Sequence, residues 1–175
     1  MRQLLLLRHA KSSWDDPATH DKDRTLNARG RRSAILMRDT MRALGLVPDL
    51  ILVSSARRTI ETLEHLEPWD ESPLIETMDS LYLASADHLL ATLRDVAETV
   101  RGVLVIAHNP GLHDLALHLV ARGTLHAPSA LRGLTEGFPT AGLAEFSVPG
   151  PWHGLNSGGG RLARFLTPRG LEENG

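Results

Sequence analysis

Hydrophobic positions along the chain fall into short apolar runs separated by amphipathic stretches. Residues 4–7 form an unbroken apolar run closed by Arg8 and His9, the pattern of a strand buried on both faces. Residues 27–44 follow a helical period, with Ala34, Met37, Met41 and Leu44 on one face and Gly45 and Pro48 marking the stop. A second buried strand is predicted over 50–53, a helix over about 56–65, and a weaker third strand over 74–77. Ser85 is placed to cap a third helix lined by Leu89, Leu93, Val96 and Val100. Residues 103–107 give the clearest buried strand, and a fourth helix follows over 111–120.

This alternation predicts an α/β protein: a three-layer α/β/α fold with right-handed crossovers and a mainly parallel sheet. The end of the chain departs from it. Residues 144–148 and 162–166 read as strands joined by a Gly- and Pro-rich loop, so they are expected as an antiparallel pair at one edge of the sheet. The Gly-rich stretch 157–160 is expected as a hairpin turn, since a strand and not a helix follows it. Residues 122–142 read as one long irregular loop, of the kind that is usually functional or mobile. No repeat or boundary interrupts the 175 residues, which are expected as a single domain.

Composition narrows the function. The net charge of -2 gives no electrostatic case for nucleic acid or an anionic membrane. The absence of cysteine excludes disulfides, thiolate zinc sites and cysteine nucleophiles. The apolar run near the N-terminus is too short for a signal core or a membrane span, so a cytoplasmic protein is expected.

Chemistry in a parallel sheet sits beyond the carboxyl ends of the strands. The first strand is followed by Arg8, His9, Ala10, Lys11 and Ser12, and the second by Ser54, Ser55, Ala56, Arg57 and Arg58. The fourth strand is followed by His108, Asn109, Pro110 and Gly111. Each loop alone has a bland reading. An Arg-His pair is usually solvated or bound to a carboxylate, and Asn-Pro-Gly is turn chemistry first. Arg57 and Arg58 read equally as exposed charges at a helix start, although cations there oppose the helix dipole. His108, His113 and His118 are five apart, which turns successive rings to different helix faces and argues against a metal. Adjacent strands would bring two imidazoles and two guanidinium groups to one rim, a constellation suited to phosphate.

These motifs, taken in order, resemble the histidine phosphatase superfamily. Leu6-Leu7-Arg8-His9-Ala10 resembles its signature, with Ala10 where glycine is usual. The stretch from Ser54 to Thr62 is similar to its second motif, in which a serine is followed four residues later by arginine, then by Glu or Gln and Thr; Arg58 fits that position and Arg57 does not. Val105-Ile106-Ala107-His108-Asn109 resembles the third. The short length and the Arg-His-Ala-Lys-Ser variant resemble the SixA-like phosphohistidine phosphatases.

The resemblance implies a phosphatase with no cofactor and no metal, in which His9 accepts the phosphoryl group. It implies that Arg8 and Arg58 bind the phosphoryl oxygens and that His108 completes the catalytic set. Asp21 is implied as the proton donor and Arg24 as a further phosphate contact, with Lys11 and Asn109 as substrate-binding residues. The larger members carry a glutamate acid after the third strand; this chain offers only Asp79 there, which leaves Asp21 or Asp79 as the acid. The expected partner is a phosphorylated protein bearing phosphohistidine. The alternatives are a small phosphorylated metabolite, such as a sugar phosphate or nucleotide, and a catalytically silent phosphate-binding module. Lys11, Trp14, Arg24 and the 122–142 loop are the expected discriminators.

Overall fold

The computed structural model describes residues 1–120 and 126–175. One sheet of six strands runs through it: β1 (Arg2–Arg8), β2 (Leu50–Ser54), β3 (Leu74–Met78), β4 (Gly102–Ala107), β5 (Leu143–Val148) and β6 (Arg161–Leu166). Their spatial order is β3-β2-β4-β1-β5-β6. The first four are mutually parallel, whereas β5 runs antiparallel to both β1 and β6. The expected fold class and its antiparallel edge are therefore what the chain adopts.

Six α-helices are seen among the described residues: α1 (Ala28–Ala43), α2 (Arg57–Leu66), α3 (Ala86–Arg94), α4 (Gly111–Leu119), α5 (Pro128–Glu136) and α6 (Pro168–Glu173). Strand alternation sorts the core into two faces. Leu5, Leu7, Ile51, Val53, Leu104 and Ile106 pack with Met37, Met41, Leu63 and Leu66 of α1 and α2. Leu4, Leu6, Leu52, Val103 and Val105 pack on the other face with Leu89, Leu93, Leu112, Leu115 and Leu134 of α3, α4 and α5. Continuous apolar runs are needed in β1, β2 and β4 because both sides of each are covered.

Caps and turns set the helix limits. Asn27 caps α1 by accepting from the Gly30 amide at 2.8 Å, and Ser85 caps α3 by accepting from the His88 amide at 3.2 Å. The third helix ends at Arg94, sooner than its apolar period suggests: Val96 is buried from the following loop. Residues 122–142 are not one irregular loop. Residues 122–125 lie outside the described residues, and Pro128 then opens α5, where a missing amide hydrogen costs nothing at the first helical position. The Gly-rich stretch is also more than a hairpin turn. The connection from β5 to β6 buries Trp152, and its Gly158 and Gly160 amides donate to the carbonyls of His118 and Leu119.

Candidate active site

Sheet order decides what meets at the carboxyl rim. β4 lies between β1 and β2, with Leu7 and Val53 both in register with Ile106. The next residues of each strand lead into His9, His108 and Ser54, so the three loops converge. They form an open cavity of about 260 Å³ lined by Arg8, His9, Arg24, Arg58, His108 and Asn109, with Lys11, Ser12, Trp14, Leu83 and Thr140 completing its wall. Arg8, His9, Arg58, His108, Arg24, Lys11 and Asn109 are thus brought to one place. Arg57 is not: it is exposed and pairs with Glu61 and Glu64 on the surface of α2.

His9 and His108 face each other with ring centroids 5.2 Å apart. Their hydrogen bonds fix their tautomers. Nδ1 of His9 lies 2.8 Å from the Ala10 carbonyl oxygen, which can only accept; Nδ1 therefore carries the proton and Nε2 keeps its lone pair. Burial, followed by the nearby His108, Arg58 and Arg8, lowers the His9 pKa to about 3, against the favourable pull of the Ala10 carbonyl. The ring is neutral at physiological pH. Nδ1 of His108 meets Nη2 of Arg58 at 3.4 Å, and arginine can only donate. His108 is accordingly protonated on Nε2, which donates to Ser54 Oγ at 2.7 Å. Burial and then Arg58 lower its pKa to about 4.

Three guanidinium groups border the same space. Arg58, only 3 % exposed, donates to the carbonyl and the carboxylate of Asp21 at 2.7 and 3.0 Å. Arg24 donates to Ser12 Oγ at 2.8 Å and to Asp21 Oδ1 at 3.2 Å, with its guanidinium 3.5 Å from the centroid of the Trp14 ring. Arg8 and Asn109 both donate to the Phe138 carbonyl, at 3.0 and 2.8 Å. Nε of Arg8 and Nε of Arg58 are buried without a partner. Three guanidinium groups beside one cavity suit an anion such as phosphate.

The two candidate acids are placed differently. Asp21 stands against Arg24, Arg58 and the Tyr82 hydroxyl, which donates to its Oδ2. The Tyr82 hydrogen bond first, and then Arg58 and Arg24, hold its pKa at about 2. Asp79 is exposed and pairs with Lys22 at 3.2 Å. Asp21 is thus the acid in contact with two arginines of the cavity wall.

The remaining motif residues hold the loops. Thr62 Oγ1 accepts from the Ala10 amide at 3.0 Å, and Glu61 Oε2 accepts from the Leu26 amide at 2.6 Å. The methyl of Ala10, where glycine is usual, is buried among Leu26, Ala34 and Ala141. Sequence reasoning missed Leu83, Thr140 and Tyr82. None lies in a motif, and only the tertiary fold brings Leu83 and Thr140 to the cavity and Tyr82 against Asp21 and His108.

A family model of the histidine phosphatase superfamily (branch 1) matches residues 4–81. An uncharacterized protein of Mycobacterium leprae is 33% identical over 93% of this chain and 100% of its own length. A solved chain assigned as the phosphohistidine phosphatase SixA of Agrobacterium tumefaciens is 30% identical with a TM-score of 0.80, covering 95% of this chain and 98% of that one. The chain belongs to the histidine phosphatase superfamily. It is SixA-like within it. A second chain assigned as SixA, from Nakamurella multipartitia, superposes with a TM-score of 0.83 at 28% identity over 95% of this chain and 96% of that one. The protein is a histidine-type phosphatase. Among the described residues no three His, Cys, Asp or Glu side chains stand together as metal ligands, and no helix is long and apolar enough to cross a membrane.

Proposed function

We propose that this phosphatase removes the phosphoryl group from phosphohistidine on a protein, through a covalent intermediate on His9. The observation that carries the reading is the clamp of His9 Nδ1 on the Ala10 carbonyl, which supports a neutral ring with Nε2 free for attack. Nε2 takes the phosphorus while Arg8, Arg24 and Arg58 hold the equatorial oxygens, and a water then releases phosphate. These guanidinium groups supply the charge that a metal supplies elsewhere, so no metal is needed. A phosphate ligand draws His108 toward protonation and converts its Nδ1 from acceptor to donor.

The size of the site supports a protein substrate. About 260 Å³ holds a phosphoryl group with an imidazole ring and is below the ~300–1,000 Å³ of pockets that enclose whole small ligands. Its wall carries the exposed Trp14 and Leu83, which suit contact with a larger surface.

Turnover of a chromogenic phosphate ester in the presence of chelator tests the chemistry. His9→Ala should abolish it, which also excludes a silent binding module; a requirement for added metal would refute the metal-free mechanism. A phosphohistidine protein should then exceed sugar phosphates and nucleotides in kcat/KM by at least about tenfold. Preference for a sugar phosphate or nucleotide would overturn the protein-substrate reading.

A further inference from the structure

Tyr82 is the single tyrosine of the chain and belongs to no motif. It reaches three members of the site. Its hydroxyl donates to Oδ2 of Asp21. Its ring meets His108 edge-on, with centroids 5.5 Å apart and planes at 84°. The Arg58 guanidinium lies 5.9 Å from the ring centroid. The segment that holds it is anchored and strained. Leu81 beneath it is fully buried, the Tyr82 amide donates to the Asp79 carbonyl at 3.1 Å, and Leu83 takes a left-handed φ of 50°. A branched non-glycine residue in that region costs of the order of 1 kcal/mol or more, and such strain clusters at functional sites.

Asp21 presents its two oxygens to different groups. Oδ1 is held by Arg24, at 3.1 and 3.2 Å, while Oδ2 is held by Arg58 and Tyr82. A bound phosphoryl group competes for both arginines. Once they turn to it, the Tyr82 hydroxyl is the one neutral donor still on Asp21 among these contacts. A phenol that donates to Oδ2 leaves Oδ1 as the oxygen that carries a carboxylic proton.

We propose that Tyr82 is a positioning residue for proton delivery: its hydroxyl holds Oδ2 of Asp21, so that the proton for the leaving group is carried on Oδ1. The inference rests on the His9 reaction above and on Asp21 as its proton donor, the role the family resemblance implies. The substrate enters as a phosphoryl monoanion and, as it draws Arg24 and Arg58 off the carboxylate, passes its proton to Asp21 Oδ1, which is otherwise ionised. In the first half, the bond from phosphorus to the leaving atom then breaks, its electron pair stays on that atom, and the atom takes the Oδ1 proton as the bond to His9 Nε2 forms. In the second half, water attacks phosphorus, Asp21 Oδ1 accepts a proton from that water, and the phosphorus–nitrogen bond returns its pair to Nε2. Tyr82 keeps its own proton throughout.

The test compares wild type, Tyr82→Phe, Asp21→Asn and the double variant on two esters. One releases p-nitrophenolate, which departs without a proton; the other releases an alkoxide, which needs one. Tyr82→Phe should lose about tenfold or more in kcat/KM on the alkyl ester and less than about threefold on the aryl ester. Asp21→Asn should show the same selective loss on a larger scale, and the double variant should be no worse than Asp21→Asn. Equal losses on both esters, full activity of Tyr82→Phe on both, or additive losses in the double variant would overturn the proposal. His9→Ala is assayed alongside: if it retains turnover, the His9 reaction fails, an outcome separate from any behaviour of Tyr82.

Discussion

Gly30 carries a prediction in which two effects of opposite sign compete. It lies in the first turn of α1, against the loop that follows His9. A Cβ built there falls 2.1 Å from the Lys11 carbonyl oxygen and 2.9 Å from the Lys11 amide nitrogen. Both atoms are backbone, so no rotamer relieves the overlap. The Lys11 carbonyl also accepts from the Asn27 amide at 3.0 Å, which ties the loop to the helix cap. Helix propensity alone favours alanine by at most about 1 kcal/mol. Relief of the overlap needs a backbone shift of about 1 Å, and overpacking of this kind costs roughly 1–3 kcal/mol. Sterics win: Gly30→Ala should be destabilised by about 1–2 kcal/mol, a fall of several degrees in Tm for a chain of this size. The shift is delivered two residues from His9, and displacement on that scale costs on the order of 10²-fold in rate. Thermal melts with kcat/KM on a chromogenic ester measure both. A raised Tm with unchanged kcat/KM would refute the close approach of α1 to the site loop.

Arg58→Ala should lower kcat by about 10²–10³-fold, as loss of one charge-stabilising donor does, while Arg57→Ala stays within about twofold; steady-state kinetics of the pair decides. Ser54→Ala removes the acceptor of the His108 Nε2 proton, while Arg58 still holds Nδ1 as an acceptor. It should reduce kcat/KM by about tenfold, with the Nε2-protonated tautomer retained in histidine nitrogen NMR. His9 and His108 have folded pKa values of about 3 and 4 against 6.5 when free, so between these limits the unfolded chain binds more protons than the folded one. Stability is therefore full above about pH 6.5 and falls on acidification, by roughly 2 kcal/mol for each ring between pH 6.5 and about pH 5. Urea denaturation at the two pH values should show His108→Asn losing less than wild type on acidification, and equal losses would refute the burial of a neutral ring.

The parts of the fold legible in the sequence are those whose burial is continuous. The runs in β1, β2 and β4 had to be central strands, and strand ends then pointed to His9, Arg58 and His108. Position four after Ser54 separated Arg58 from Arg57, and one is buried in the site while the other pairs on the surface. Helix α5 was hidden because it fully buries only Ala130 and Leu134 and its flanks, Pro128 and Gly137, read as breakers. The end of α3 was overrun because Val96 is buried without being helical, so its periodicity came from the loop. Tyr82, Leu83 and Thr140 owe their place to tertiary convergence, for which no local pattern codes.

The rim is built from two materials. Arg8, Ser54 and the residues leading into His9 and His108 belong to strands covered on both faces, so their amides exchange with solvent only through openings close to global unfolding. Asp21 and Lys22 stand on a short turn at the surface, where opening costs far less. Deuterium uptake should therefore divide the rim into a slow half and a fast half. Changes in the fast half act on Asp21, while the aim of the nucleophile stays as the sheet sets it.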